Sequence, residues 1–171
     1  KDPGSVKHIQ YLINQAKSND SELNHKEMGF NYRMTNIEAA LGLAQLERLD
    51  QFLSKKKDFY RIYKEELGDI DTVSFQETRE GCESSCWLTC VLLEDGIDIQ
   101  GLIGKLNEYG VPTRRIFRPL VHFPEYYGQQ QGLYRNSNMV YKRGLCLPSS
   151  VLNTEDAIRE VCALVRRSLL K

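Results

Sequence analysis

The chain has no excess of charge of either sign: Lys+Arg and Asp+Glu number 23 each, so it is formally neutral at pH 7. That balance argues against whole-surface attraction to nucleic acid or to an anionic membrane, which needs surplus cations, although a local patch remains allowed. No run approaches the ~18–20 apolar residues that cross a bilayer. The opening residues, Lys1-Asp2-Pro3-Gly4, lack the apolar core of a signal peptide. Cysteine is sparse and odd in number, five in all, and without a secretory signal it suits reduced thiols in the cytoplasm, not a disulfide framework. There is no Cys-x-x-Cys pair, Walker loop, dinucleotide fingerprint or recognisable catalytic triad. Those absences exclude the commonest zinc, nucleotide and hydrolase signatures.

What is present is globular. The 171 residues are 41% hydrophobic and 27% charged, enough to bury a core without staples. The chain opens on Lys1, not Met, which suits a piece of a longer protein. Val6, Ile9, Ile13 and Ala16 recur at helical spacing and predict an amphipathic helix from Ser5 to about Lys17. Ser18 to Ser21 marks a break, and residues 22–34 show neither period and read as an ordered loop. Thr35-Asn36-Ile37-Glu38 is a capping box. From it we expect one helix over Asn36–Leu67, small and apolar in its first half and therefore buried against close neighbours. The second half, with Lys55-Lys56-Lys57, is expected to be largely solvated, and a domain boundary is placed inside or just after the helix.

Beyond Gly68 the pattern changes to strand candidates at Thr72–Phe75, Cys86–Leu93, Thr113–Phe117 and Gly144–Pro148. Helices are expected from Asp98 to Gly110, over Tyr134–Arg143 and from Thr154 onward, with residues 118–137 mainly loop. The order strand, strand, helix, strand, helix, strand, helix describes a small α+β domain with helices on a mainly antiparallel sheet. The whole chain falls in the α/β class.

Few residues carry obvious chemistry. Cys82, Cys86 and Cys90 are four apart, but a strand would separate such residues by roughly 13 Å, too far for one tetrahedral ion. Buried free thiols are the favoured reading. His8 falls on a solvated helix face, whereas His25 and His122 lie in loops that could line a site. Arg114, Arg115 and Arg118 put three guanidinium groups within five residues, near His122. They read equally as a solvated edge strand or as an anion site, since Arg forks match carboxylate and phosphate oxygens. Gly29, Asn31 and Arg33, just before a helix start, could also meet an anion.

The run Gly29-Phe30-Asn31-Tyr32-Arg33-Met34-Thr35-Asn36-Ile37-Glu38-Ala39-Ala40-Leu41-Gly42-Leu43-Ala44-Gln45-Leu46 resembles the signature of the DegT/DnrJ/EryC1/StrS family. Tyr141 to Ser149, followed by Thr154-Glu155-Asp156, is similar to that family's C-terminal end. Gln15-Ala16-Lys17 and His25-x-Glu27 resemble the branch acting on 4-keto-6-deoxy sugars. The resemblance implies the C-terminal part of a fold-type-I aminotransferase that uses pyridoxal 5'-phosphate. Such a parent moves an amino group from an amino acid, commonly glutamate, to a nucleotide-linked keto sugar for cell-surface polysaccharide or amino-sugar synthesis.

By the same resemblance, residues 1–35 end the large cofactor domain, 36–67 link, and 68–171 form the small domain. Asn31 would reach the cofactor phosphate across a homodimer with shared active sites, and Arg33 would help bind an anion. Arg114, Arg115 and His122 belong to the segment that closes over the sugar nucleotide. There the family's Pro-Leu-His becomes Pro119-Leu120-Val121-His122, one residue longer. The family's covalent lysine, in a Ser-x-x-x-x-Lys stretch before Gly-Glu-Gly-Gly, has no match here. No catalytic residue is therefore assigned, and the chain alone is expected to be inactive. Two other readings stay open: a non-catalytic dimerisation or ligand-sensing module, and a relative that dehydrates sugars with the same cofactor.

Overall fold

The computed structural model describes residues 2–17, 25–126 and 134–170. The break expected at Ser18–Ser21 lies outside them, as does much of the polar loop beyond Tyr126. The chain divides into two compact units, residues 1–49 and 50–171, and each is built differently.

The first unit is held by local geometry, not by a core. Helix α1 (Pro3–Ile13) starts where the Asp2 carboxylate accepts from the amides of Gly4 and Ser5, with Pro3 at its first turn. It stops at Ile13, four residues before the expected end, because Gln15 and Ala16 turn to positive φ (65° and 51°). Helix α2 (Asn36–Leu46) begins with both halves of the capping box in place: the Glu38 amide donates to Thr35 Oγ1, and the Thr35 amide donates to Glu38 Oε2. The burial expected for α2 is not found within this chain, since none of its residues is buried. The single helix expected over 36–67 is also two. Residues 47 and 48 turn between α2 and α3 (Leu49–Leu67), with the Arg48 amide donating to the Gln45 carbonyl three residues back.

The second unit is the α+β layer. Strands β1 (Val73–Phe75), β2 (Thr89–Leu93), β3 (Arg114–Arg115) and β4 (Gly144–Leu147) form one sheet in the order β1-β2-β4-β3, and every pairing is antiparallel. Strand β2 begins three residues later than the sequence suggests, leaving Cys86 outside the ladder at φ 49°. Strand β3 is cut to two residues. Helices α4 (Ile99–Glu108) and α6 (Glu155–Leu169) start on the caps expected for them, Asp98 and Thr154. Helix α5 (Arg135–Arg143) runs into β4 with no intervening residue. Gly144 makes that junction possible, because a Cβ there would collide with the Val140 carbonyl and the Ile116 side chain.

One face of the sheet carries the core. Val73, Val91, Leu93, Leu145 and Leu147 meet Phe59, Ile62 and Leu67 of α3 together with apolar residues of α4 and α6. Period-2 alternation is visible in β2, where Thr89, Val91 and Leu93 are buried and Cys90 and Leu92 half-buried. Helix α3 is not the solvated rod that its lysines suggest. Lys55 Nζ donates to the Val151 carbonyl, and Lys56 Nζ to the carbonyls of Trp87 and Ser149, each at 2.7 Å. Tyr63 Oη donates to the Pro148 carbonyl at 2.8 Å, so α3 grips the segment that leaves β4. At the other end of α3, Arg159 of α6 pairs with Glu66 in the last turn and Arg166 with Asp69 just beyond it.

Leu145 is fully buried at the centre of this layer. Leu145→Ala should lower the unfolding free energy of the chain by about 2–5 kcal/mol in urea titration. Leu152→Ala, at an 89% exposed position, should change it by less than about 0.5 kcal/mol.

Candidate functional site

The first cluster is built on the strap after Gly29. The Phe30 amide donates to the Leu12 carbonyl (2.8 Å), the Gln15 amide to the Phe30 carbonyl (3.0 Å) and the Tyr32 amide to the Ile13 carbonyl (3.2 Å). Asn31 thus lies opposite Asn14 in an antiparallel bridge, fixed on both flanks by backbone bonds. Gly29 must be glycine, since a Cβ would run into the backbone of Gln15 and Ala16. His25 is drawn into the same construction: its Nδ1 lies 2.7 Å from the Gln15 carbonyl, so it braces the strap. Arg33 Nη1 donates to Asn14 Oδ1 at 2.7 Å, which fixes the direction of its guanidinium. Phe30 and Tyr32 stack on each other at 5.1 Å. Asn31 stays exposed, a neutral amide donor four residues before the α2 cap.

The second cluster lies in the other unit, where the arginines separate. Adjacent strand residues face opposite sides, so Arg114 and Arg115 do not act as one fork. Arg115 turns to Tyr141, with its guanidinium 5.7 Å from the ring, and its Nη1 donates to the carbonyls of Tyr141 and Lys142 at 3.5 and 3.4 Å. A cation there complements the negative end of α5. His122 meets the same Tyr141 ring edge-on at 5.6 Å, so Arg115 and His122 share one aromatic platform. His122 sits in a 3₁₀ turn at Leu120–His122, within the segment expected to be mainly loop. Next to it a mainly apolar cavity of about 330 Å³ is lined by Pro119, Leu120, Tyr126 and Tyr134.

Arg114 goes elsewhere. Its guanidinium lies 5.2 Å from the Phe117 ring, and Phe117 stacks on Trp87 at 6.0 Å, both rings exposed. Arg118 lies over Phe123 at 5.5 Å. A groove of about 380 Å³ holds Lys56, Trp87, Thr113, Arg114, Cys146 and Ser149. Burial holds the Lys56 ammonium below its ordinary pKa. The Thr113 hydroxyl is buried there without a hydrogen-bond partner among the described residues. The sequence reading missed Lys56, Trp87 and Tyr141; only Tyr141 carried a signal, as the first residue of the C-terminal match.

The cysteines also differ from expectation. Cys82 is exposed and Cys86 and Cys90 are half-buried, all free, where buried thiols were expected. Among the described residues no group of three or more His, Cys, Asp or Glu side chains is placed to hold a metal ion. No helix of the described residues is long and apolar enough to cross a membrane.

The strap can be tested directly. Gly29→Ala should speed the hydrogen exchange of the Phe30 and Tyr32 amides, whose bonds to the Leu12 and Ile13 carbonyls it would break, read by amide exchange mass spectrometry or NMR. Gly42→Ala, where a Cβ meets open space, should leave those amides alone and stabilise α2 by roughly 0.5–1 kcal/mol.

With this geometry in view, comparison with known proteins is specific. EpsN of Bacillus subtilis is 31% identical over 159 residues, covering 91% of this chain and 41% of the relative. GDP-perosamine synthase of Vibrio cholerae is 32% identical over 145 residues, covering 83% and 39%. The chain therefore spans about 40% of the length of these curated relatives. Among solved structures, Spr1654 from Streptococcus pneumoniae in its PMP form superposes with a TM-score of 0.80 at 20% identity. That match covers 98% of this chain and 45% of the other, and a PLP form of the same protein also matches. At that identity the structural likeness speaks to fold alone, that of the C-terminal portion of a fold-type-I aminotransferase. The sequence model of the DegT/DnrJ/EryC1/StrS aminotransferase family matches residues 1–166, and the chain belongs to that family.

Proposed function

We propose that the chain is the C-terminal part of a pyridoxal 5'-phosphate-dependent aminotransferase acting on a nucleotide-linked keto sugar. The amino donor is an amino acid, with glutamate favoured, and the enzyme works in the cytoplasm as a homodimer with shared sites. Family membership over residues 1–166 supports the reaction class. The relative named GDP-perosamine synthase supports a sugar nucleotide as acceptor. In this reading residues 1–35 end the large domain, and the small domain follows the linking helices. The exposed apolar side chains of α2, among them Ile37, Leu41 and Leu46, pack on parts of the parent outside this chain.

The observation that carries the reading is the Asn31 strap. Asn31 is exposed, and the backbone on either side of it is pinned to the end of α1. An amide so fixed suits a phosphate oxygen: it donates without adding charge and loses little freedom on binding. Asn31 would hold the cofactor phosphate of the partner protomer, with Arg33, steadied by Asn14, adding an anion contact. When bound, the cofactor supplies the electron sink for amine exchange. This chain's own residues bind and orient. Arg115 and His122, gathered on Tyr141, and Arg114 on the opposite side of β3 supply donors for the anionic groups of the sugar nucleotide. None of them is assigned to move a proton. In this reading the covalent lysine belongs to the large domain, since no stretch of this chain matches the family's lysine motif.

In the full-length parent, Asn31→Ala should weaken cofactor binding about 10- to 100-fold, the loss of one hydrogen bond to a charged group. Titration of the apoenzyme, followed by the cofactor's visible absorbance, measures it; unchanged affinity removes the role from Asn31. The 171-residue chain alone should keep no cofactor through dialysis and turn over no substrate. Stoichiometric retention would contradict the assignment.

A further inference from the structure

We propose that Cys90 and Cys146 are an oxidisable dithiol that closes reversibly into a cross-strand disulfide at the centre of the sheet. The two residues are direct partners in the β2–β4 ladder, and their sulfurs lie 3.5 Å apart. Directly opposed antiparallel residues have Cα atoms about 4.5–5.5 Å apart, inside the window a disulfide accepts without backbone movement. Both strands are interior to the sheet, so neither partner is on a fraying edge. Neither sulfur belongs to the α3–α4–α6 core cluster.

Each sulfur also has a way in. Cys90 lines a cavity of about 360 Å³ together with Tyr60, Cys82 and Cys86. Cys146 lines the separate groove that holds Arg114 and Lys56. A peroxide is small enough for either opening.

The electrostatics favour Cys146 as the attacking sulfur. Its thiol is held below the ordinary range, first by the hydrogen bond it shares with Cys90, in which either sulfur can donate, and then by the guanidinium of Arg114, its partner across the β3–β4 ladder. With a peroxide as oxidant, the Cys146 sulfur attacks one oxygen, the O–O bond breaks and the departing hydroxide leaves as water. The resulting sulfenic acid is attacked by the Cys90 sulfur. The S–S bond forms, the S–O bond breaks, and a second water carries off the Cys90 proton. Two thiols are oxidised and one peroxide is reduced to two waters.

The molecule contains its own control, a thiol that is packed away and has no sulfur partner in the proposal. Cys162 is buried in α6 at 2% exposure, with its thiol pushed up to about 12, chiefly by burial.

The test uses the purified 171-residue chain. After treatment with hydrogen peroxide, and in a parallel arm with oxidised glutathione, the thiols titratable on unfolding should fall by two from the five present. Peptide mapping without reductant should join the Cys90 and Cys146 peptides with a loss of about 2 Da, and dithiothreitol should restore both thiols. Cys90→Ser and Cys146→Ser, with folding checked by circular dichroism, should each lose the cross-link and leave Cys162 unmodified. The proposal is overturned if Cys90 and Cys146 are recovered as separate free thiols. It is equally overturned if the only disulfides join Cys82, Cys86 or Cys90 to one another.

Discussion

The α+β unit depends on burying one face of a small sheet. Strands of two to five residues have too few ladder bonds to persist in water on their own. Their stability comes from the apolar layer that α3, α4 and α6 lay across Val73, Val91, Leu93, Leu145 and Leu147. Because that layer fixes register, it also fixes which side chains leave the other face. Arg114, Cys146 and Cys90 stand in one row because Val91 and Leu145 stand in the next. The separation of Arg114 from Arg115 therefore follows from core packing.

The other unit shows the opposite economy. Ala16 is its one buried hydrophobic residue among those described, and it is ordered by backbone bonds between residues 12–17 and 25–32 and by a helix cap. A surface built this way presents polar groups accurately but leaves apolar side chains uncovered. Helix α2 is the clearest case: Ile37, Leu41, Leu43 and Leu46 are all exposed, on a helix apolar enough to suit a packed environment.

Local chemistry was the most legible part of the sequence. The caps Thr35, Asp98 and Thr154 act as their residue types and spacing suggest, since each involves partners two or three residues away. The strands were found at roughly the right places, because alternation and turn residues are also local signals. What escaped was set by distance along the chain. The lysines of α3 look solvated in sequence, because the Val151 and Ser149 carbonyls that accept from Lys55 and Lys56 come more than ninety residues later. Tyr141 as a shared platform for Arg115 and His122 depends on a pairing, β3 with β4, that no short window contains. The turn at residues 47 and 48 has neither glycine nor proline to announce it. For the candidate site, Asn31 and Arg33 are expected both from their place just before a helix start and from family resemblance, and backbone bonds on either side pin the strap that carries Asn31.

The direct passage of α5 into β4 has a mechanical side. Val140 and Tyr141 on the helix and Leu145 on the strand are separated by a glycine junction with no loop to absorb displacement. Helix and strand therefore behave as one continuous length of chain: the position of the Tyr141 ring and the register of Leu145 are set together, because only Lys142, Arg143 and Gly144 lie between them.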